Sequence, residues 1–206
     1  MNEGRLRPPP VQRILWRRTA VILGYGEIGR AIADRLAGFE MRVVGLNRTG
    51  RMAAGCEAMF PADQIRSAVA EGDLVFDARP LTRRTAGTVD RSVLDAMRPD
   101  AIFVNVGRAA TVDEEALYHH LVEHPDFRAA LDVWWHEDFA AGRVEQKFPF
   151  GSLPNFVGTP HSAGFGPGVE RYVLERAVAN LSRFFSGAEP RYIIDRSEYE
   201  SGESPT

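Results

Sequence analysis

The chain has 206 residues, 44% hydrophobic and 26% charged, with a formal net charge of −3. That length supports one well-buried core and leaves little room for a second full domain. No surplus of positive charge is available to hold a phosphate backbone, so nucleic acid is not an expected partner, and the apolar runs fall far short of the roughly 20 residues that a membrane span needs.

Residues 1–18 read as a lead-in segment. Their arginines hint at a transit peptide, but Pro8-Pro9-Pro10 prevents the amphipathic helix that such a peptide requires. Apolar, β-branched runs then predict strands at Thr19–Leu23, Arg42–Asn47, Glu57–Phe60, Leu74–Ala78, Ala101–Val106, Ala129–Trp134 and Asn155–Thr159. Helical patterns predict helices near Glu27–Gly38, Ala62–Ala70, Arg91–Met97, Asp113–Glu123 and Pro167–Ser186. The strands are apolar throughout rather than alternating, as in a parallel sheet covered on both faces. Strand–helix–strand succession predicts an α/β fold, a doubly wound parallel sheet of six or seven strands in a single domain over residues 19–195. His136–Pro154 is the one long irregular segment, and residues 196–206 read as a disordered polar tail. Cys56 stands alone, so one chain holds no disulfide; a small loop side chain in a reducing cytoplasm is expected.

Gly24-Tyr25-Gly26-Glu27-Ile28-Gly29 follows the first strand and opens a helix whose apolar positions Ile28, Ile32, Leu36 and Phe39 recur at helical steps. In that context a G-x-G-x-x-G turn cradles a pyrophosphate: the first glycine makes the tight turn, the second admits the phosphate, the third lets helix and strand pack. An acidic residue usually ends the second strand of NAD-binding proteins, where it accepts hydrogen bonds from the adenosine ribose. Here Asn47-Arg48-Thr49-Gly50 stands in its place. Without a carboxylate to repel it, a 2′-phosphate can pair with the Arg48 guanidinium, so NADP is favoured over NAD. The alternative is a plain turn carrying a solvated arginine.

Three later segments carry a resemblance. Asn105-Val106-Gly107-Arg108-Ala109-Ala110-Thr111, Ala130-Leu131-Asp132-Val133-Trp134-Trp135-His136-Glu137 and Asn155-Phe156-Val157-Gly158-Thr159-Pro160-His161 resemble, in that order, the three catalytic segments of D-isomer-specific 2-hydroxyacid dehydrogenases. The likeness runs from about Thr19 to Ile194. It implies a Rossmann-type domain that transfers hydride between NAD(P)H and a small 2-oxo acid such as glyoxylate or hydroxypyruvate. Arg108 would bind the substrate carboxylate and polarise the carbonyl, His161 would give or take the proton, and Glu137 would orient the imidazole. Asp132 would hold the nicotinamide carboxamide, with Pro80, Val106 and Gly107 along the cofactor cleft. Ala109 and Arg79 depart from the family's usual glycine and apolar residue, which bears on substrate and cofactor preference.

The family's second α/β domain and its dimerising helix have no counterpart in the eighteen residues before Thr19. A domain fragment, a split enzyme completed by a partner chain or a second copy, and a noncatalytic dinucleotide-binding module are the competing expectations. No metal site is expected: His120 and His124 lie one helical turn apart without an evident third ligand. Trp134 and Trp135 are expected to pack in the core and cleft wall, with Trp135 the one that could touch substrate.

Overall fold

A computed structural model of the chain describes residues 14–194 and 196–199. The triproline lead-in and the end of the tail, residues 1–13 and 200–206, lie outside the described residues, as does residue 195. β1 (Thr19–Leu23), β2 (Arg42–Asn47), β3 (Ala58–Pro61), β4 (Leu74–Asp77), β5 (Ile102–Asn105), β6 (Arg128–Leu131) and β9 (Phe156–Gly158) form one parallel sheet in the order β3-β2-β1-β4-β5-β6-β9. The continuous apolar runs explain its centre. Val21 of β1 is paired with Val44 on one side and Val75 on the other, and all three are fully buried. The chain winds outward from β1 to β3, then returns to place β4 against the other side of β1. That reversal opens a crevice between the carboxyl ends of β1 and β4, the place where sheets of this type bind ligands.

Helices α1 (Glu27–Leu36), α2 (Ile65–Val69), α3 (Arg91–Ala96), α4 (Glu114–Glu123) and α5 (Val169–Phe185) connect or follow the strands. Asp90 and Asp113 cap α3 and α4 by accepting the N–H groups of Val93 and Ala116, which explains where those helices begin. One face of the sheet packs a large core around Phe103, Phe127, Leu117 and Phe150. Smaller clusters around Ile22, Ala33, Leu36 and Met41 pack the other.

Several expected boundaries move. The stripe that seats α1 is Gly29, Ala33 and Leu36, whereas Ile28 and Phe39 are exposed. Close approach to β1 selects small residues there, which a search for large apolar side chains overlooks. The segment expected at 62–70 starts as a 3-10 turn over Ala62–Gln64 and becomes α-helical only from Ile65. β6 ends at Leu131 rather than Trp134; the Asp132 N–H still donates to Asn105 O of β5, while its side chain binds the loop after β9. The stretch expected to be irregular holds an antiparallel hairpin of β7 (His136–Asp138) and β8 (Arg143–Glu145), too short and polar to show as strand patterning. α5 buries none of its seventeen residues and exposes Leu174, Val178, Leu181 and Phe185. Among the described residues no helix is long and apolar enough to cross a membrane.

Candidate active site

Gly24 has φ +89°, a left-handed value that favours glycine, and a Cβ at Gly29 would stand 2.4 Å from the Gly24 carbonyl oxygen. The Gly24 and Tyr25 N–H groups donate to Leu46 O, which ties the turn to β2. Above Gly26 there is open space, where a Cβ would meet nothing within 4 Å. The turn therefore has the tight backbone, close helix and free approach that a pyrophosphate requires. It forms one wall of a cleft of about 1140 Å³ that also takes in Asn47, Arg48, Thr49 and Pro80. That volume suits a ligand larger than a mononucleotide. Glu27 and Ile28 do not line this cleft: Glu27 turns away to Arg176 and Tyr192, and Ile28 is 53% exposed. Tyr25 anchors the floor, its hydroxyl donating to Ala54 O, and burial followed by the neighbouring Cys56 raises its pKa. Cys56 is half-buried beside it, its thiol pushed up by burial.

At the far end of the cleft Asn47 Oδ1 accepts the N–H groups of Thr49 and Gly50, closing the turn after β2. Arg48 projects from that turn without a carboxylate from its own strand. Its Nη1 lies 3.0 Å from Oε1 of Glu198, and Arg84, from the loop after β4, pairs with the same oxygen. Residues 196–198, expected to be part of a disordered tail, form a 3-10 turn seated at this end. Arg84 and Glu198 were not among the residues singled out in the sequence; only contacts 114 and 150 residues long bring them to this place.

Between the turn and the strands beyond it stands a buried pair. Arg79 donates through Nε and Nη2 to the two oxygens of Asp77, at 2.9 and 2.6 Å, and through Nη1 to Thr88. Arg79 thus faces inward, with its charge matched by a carboxylate of β4. The Thr111 hydroxyl lies between Asp77 Oδ2, at 2.9 Å, and Arg108 O, at 2.8 Å, two acceptors that share its single proton. Asn105 Nδ2 donates to the same carbonyl at 3.1 Å while its Oδ1 accepts the Gly107 N–H. The Arg108 backbone is therefore pinned from both sides, and its side chain is left exposed at the end of β5. Gly107 is buried where a Cβ would come 2.5 Å from Arg79 O, and Val106 is half-buried.

Glu137 on β7 and His161 after β9 meet. His161 Nδ1 is 2.9 Å from both Glu137 oxygens. An ionised carboxylate only accepts, so Nδ1 carries the proton and Nε2 is the nitrogen left for exchange. A third contact, Trp134 N–H to Glu137 Oε1 at 2.8 Å, orients the carboxylate. His161 has φ +50°, an uncommon value for a side-chain-bearing residue. Asp132 holds that conformation by accepting the N–H groups of Ser162 and Ala163, both at 2.9 Å, and the Thr159 hydroxyl. Burial raises the Asp132 pKa, but those donors and the charge of His161 outweigh it and keep the carboxyl below the usual range. Asp132 is thus a clamp on the His161 loop, a role the sequence did not reveal. Trp135 donates to Val112 O and stacks on Phe150, with centroids 5.5 Å apart, and Trp134 donates to Thr159 O. Trp135 packs against the core, as expected, and Trp134 against Phe156; neither lines the cleft.

Arg108, Asp132, Glu137 and His161 all follow the carboxyl ends of the adjacent strands β5, β6 and β9, one edge of the crevice. Arg108 makes no hydrogen bond to Glu137 or His161. The enclosed cleft stops short of this group, and Val106, Gly107 and Asp132 lie beyond its lining.

The expectation that His120 and His124 lack a third ligand is corrected, since Asp95 brings a carboxylate within 4.8 Å of both. That carboxylate is gripped by Arg91 through Nε at 2.9 and 3.0 Å. His120 is buried, and burial followed by the charge of His124 lowers its pKa.

Comparison with known proteins bears on the family and the fold. Residues 1–163 match the family model described as D-isomer specific 2-hydroxyacid dehydrogenase, NAD binding domain. A glyoxylate reductase from Pyrococcus furiosus is 34% identical over 182 residues, covering 88% of this chain and 52% of that protein. Glyoxylate/hydroxypyruvate reductase B from Pectobacterium atrosepticum is 37% identical over 174 residues, 82% of this chain and 52% of that protein. The crystal structure of a D-isomer specific 2-hydroxyacid dehydrogenase from Xanthobacter autotrophicus Py2, in complex with NADPH and MES, superposes with a TM-score of 0.78 at 27% identity, covering 95% of this chain and 77% of that one. The chain spans about half the length of the curated relatives it matches. With its dinucleotide turn at a strand switch point and a match over more than half its residues, the chain belongs to the D-isomer specific 2-hydroxyacid dehydrogenase family, through that family's NAD binding domain.

Proposed function

We propose that this chain carries the cofactor-binding and proton-transfer half of an NAD(P)-dependent dehydrogenase that interconverts a small 2-oxo acid, glyoxylate or hydroxypyruvate, with its D-2-hydroxy acid. The observation that carries this reading is the Glu137–His161 pair. It leaves Nε2 of His161 as a proton-exchanging atom at the strand ends where a substrate would lie. Nicotinamide, when bound, supplies or accepts the hydride. Gly24, Gly26 and Gly29 would hold its pyrophosphate, Asn47, Arg48 and Thr49 its adenosine ribose, and Pro80, Val106, Gly107 and Asp132 the nicotinamide side. In the reduction Nε2–H donates its proton to the carbonyl oxygen while the carbonyl carbon gains the hydride; in the oxidation the neutral Nε2 takes the hydroxyl proton back. Arg108 meets the substrate carboxylate and draws charge toward the carbonyl oxygen as it forms. NADP is the favoured cofactor, on the cationic, carboxylate-free turn after β2.

A second reading rests on the cleft ending before Arg108 and His161. In it, the wall that closes over substrate comes from a partner chain or a second copy, and the chain alone binds dinucleotide without turnover. An open site stays wet and positions substrate poorly, and positioning contributes several kcal/mol to catalysis. Oxidation of NADPH and NADH by the purified chain with a panel of 2-oxo acids separates the two, with His161→Ala as control. Turnover that vanishes in the variant is the expected result for the first reading; cofactor binding without turnover supports the second.

A further inference from the structure

Two guanidinium groups converge at the adenosine end of the cleft. Arg48 comes from the turn after β2 and Arg84 from the loop after β4, and both reach one oxygen of Glu198. The Arg83 N–H also donates to the Glu198 carbonyl, at 3.4 Å, so backbone and side chain of the segment are both held. The Arg48 and Arg84 side chains are 64% and 59% exposed, but Glu198 only 21%: the carboxylate is inserted between two cations that otherwise face water. All three belong to the lining of the cleft that contains the Gly24–Gly26 turn. No residue at the end of β2 supplies an acid there; Asn47 spends its side-chain oxygen on its own turn.

We propose that Glu198 is a built-in occupant of a two-arginine anion seat, and that it competes with the 2′-phosphate of NADP(H) and so sets the preference between the two nicotinamide cofactors. The inference rests on the reading of Arg48 as the residue that meets the 2′-phosphate, and adds Arg84 as its second cation. A phosphate monoester offers more acceptor oxygens and more charge than a carboxylate, so it can displace Glu198 from the same seat. NADH brings only a ribose hydroxyl and has no such claim on the arginines. Glu198 therefore weakens NADPH binding selectively, by the strength of two solvent-exposed ion pairs, and salt weakens the effect.

The test is fluorescence titration of NADPH and NADH at low ionic strength with the wild-type chain, Glu198→Gln, Arg84→Ala, Arg48→Ala and the double variant Arg84→Ala/Glu198→Gln. Adenosine 2′-monophosphate, titrated by calorimetry, probes the seat without the rest of the dinucleotide. Glu198→Gln should raise the ratio of NADPH to NADH affinity by about three- to tenfold. The double variant should lose most of that gain, and adenosine 2′-monophosphate should follow NADPH. An unchanged ratio in Glu198→Gln, with the ratio still lowered in Arg48→Ala, would overturn the competition while leaving Arg48 as the 2′-phosphate residue. An unchanged ratio in Arg48→Ala would overturn that underlying reading and the competition with it. Glu198 sits in a surface turn, so the variant's circular dichroism should match the wild type.

Discussion

The two ends of the crevice are built differently. At the end beside the turn after β2, charge is plentiful and exposed: Arg48 and Arg84 reach in from loops and are paired by a carboxylate from the far end of the chain. At the end beside β5, β6 and β9, the groups are held by short-range hydrogen bonds to backbone and ring. Arg108 is pinned at its carbonyl by Asn105 and Thr111, and His161 is held by Glu137 on its ring and by Asp132 beneath its loop. The buried Asp77–Arg79 pair joins the two ends, with Arg79 against Gly24 on one side and Asp77 linked through Thr111 to Arg108 on the other. The lesson is one of tolerance. Recognition of a phosphate needs charge at roughly the right place, whereas proton transfer needs an atom at a fixed distance and angle.

That contrast can be broken at its joint. Arg79→Ala leaves the Asp77 carboxylate buried without its cation and should cost about 3–5 kcal/mol of stability, measured by urea unfolding. Leucine at the same position should do no better, since the stranded charge is the cause. A loss below about 1 kcal/mol would mean that the pair is not the buried link described above.

Arg108→Ala should leave unfolding within about 0.5 kcal/mol of wild type, because the side chain is exposed and bonds only the adjacent Gly107 carbonyl. In a catalytically competent form it should lower turnover roughly a hundredfold or more, as loss of one transition-state donor does. Equal turnover would remove Arg108 from the chemistry. Glu137→Gln sharpens the same point more gently. Its amide can donate to His161 Nδ1 and so favours the wrong tautomer, which should slow turnover by roughly tenfold or more with NADPH affinity unchanged. A parallel loss of cofactor affinity would assign Glu137 to cofactor binding instead.

At the start of α3, on the cleft's lining, Asp90→Ala removes the helix cap and should cost about 1 kcal/mol at neutral pH. Hydrogen bonds from Ser92 and then from the Val93 N–H hold the Asp90 pKa below its ordinary value of 3.8. A carboxyl depressed in the folded state stabilises above its unfolded pKa and loses that contribution as pH falls through the folded value. The difference between variant and wild type should therefore shrink below about pH 4. A difference that persists in acid would show that the cap acts through packing rather than through the carboxylate.

The strands and the glycine-rich turn with its helix were legible in the sequence because each is written in neighbouring residues. Apolar runs report burial on both faces, Gly24-x-Gly26-x-x-Gly29 reports a turn with its helix, and Arg108, Glu137 and His161 sit in segments that resemble the family's own. The sheet's class followed from the same local information. What the tertiary structure decided are partnerships across distance. Nothing near Glu198 says that it belongs beside Arg48, 150 residues earlier; nothing near Asp132 says that it clamps the loop after β9; Asp95 joins His120 only because α3 packs on α4. Hydrophobic burial is non-directional and leaves a periodic trace along the chain, so it can be read one residue at a time. Ion pairs and hydrogen bonds depend on where the folded backbone delivers each polar atom, so no single segment records them.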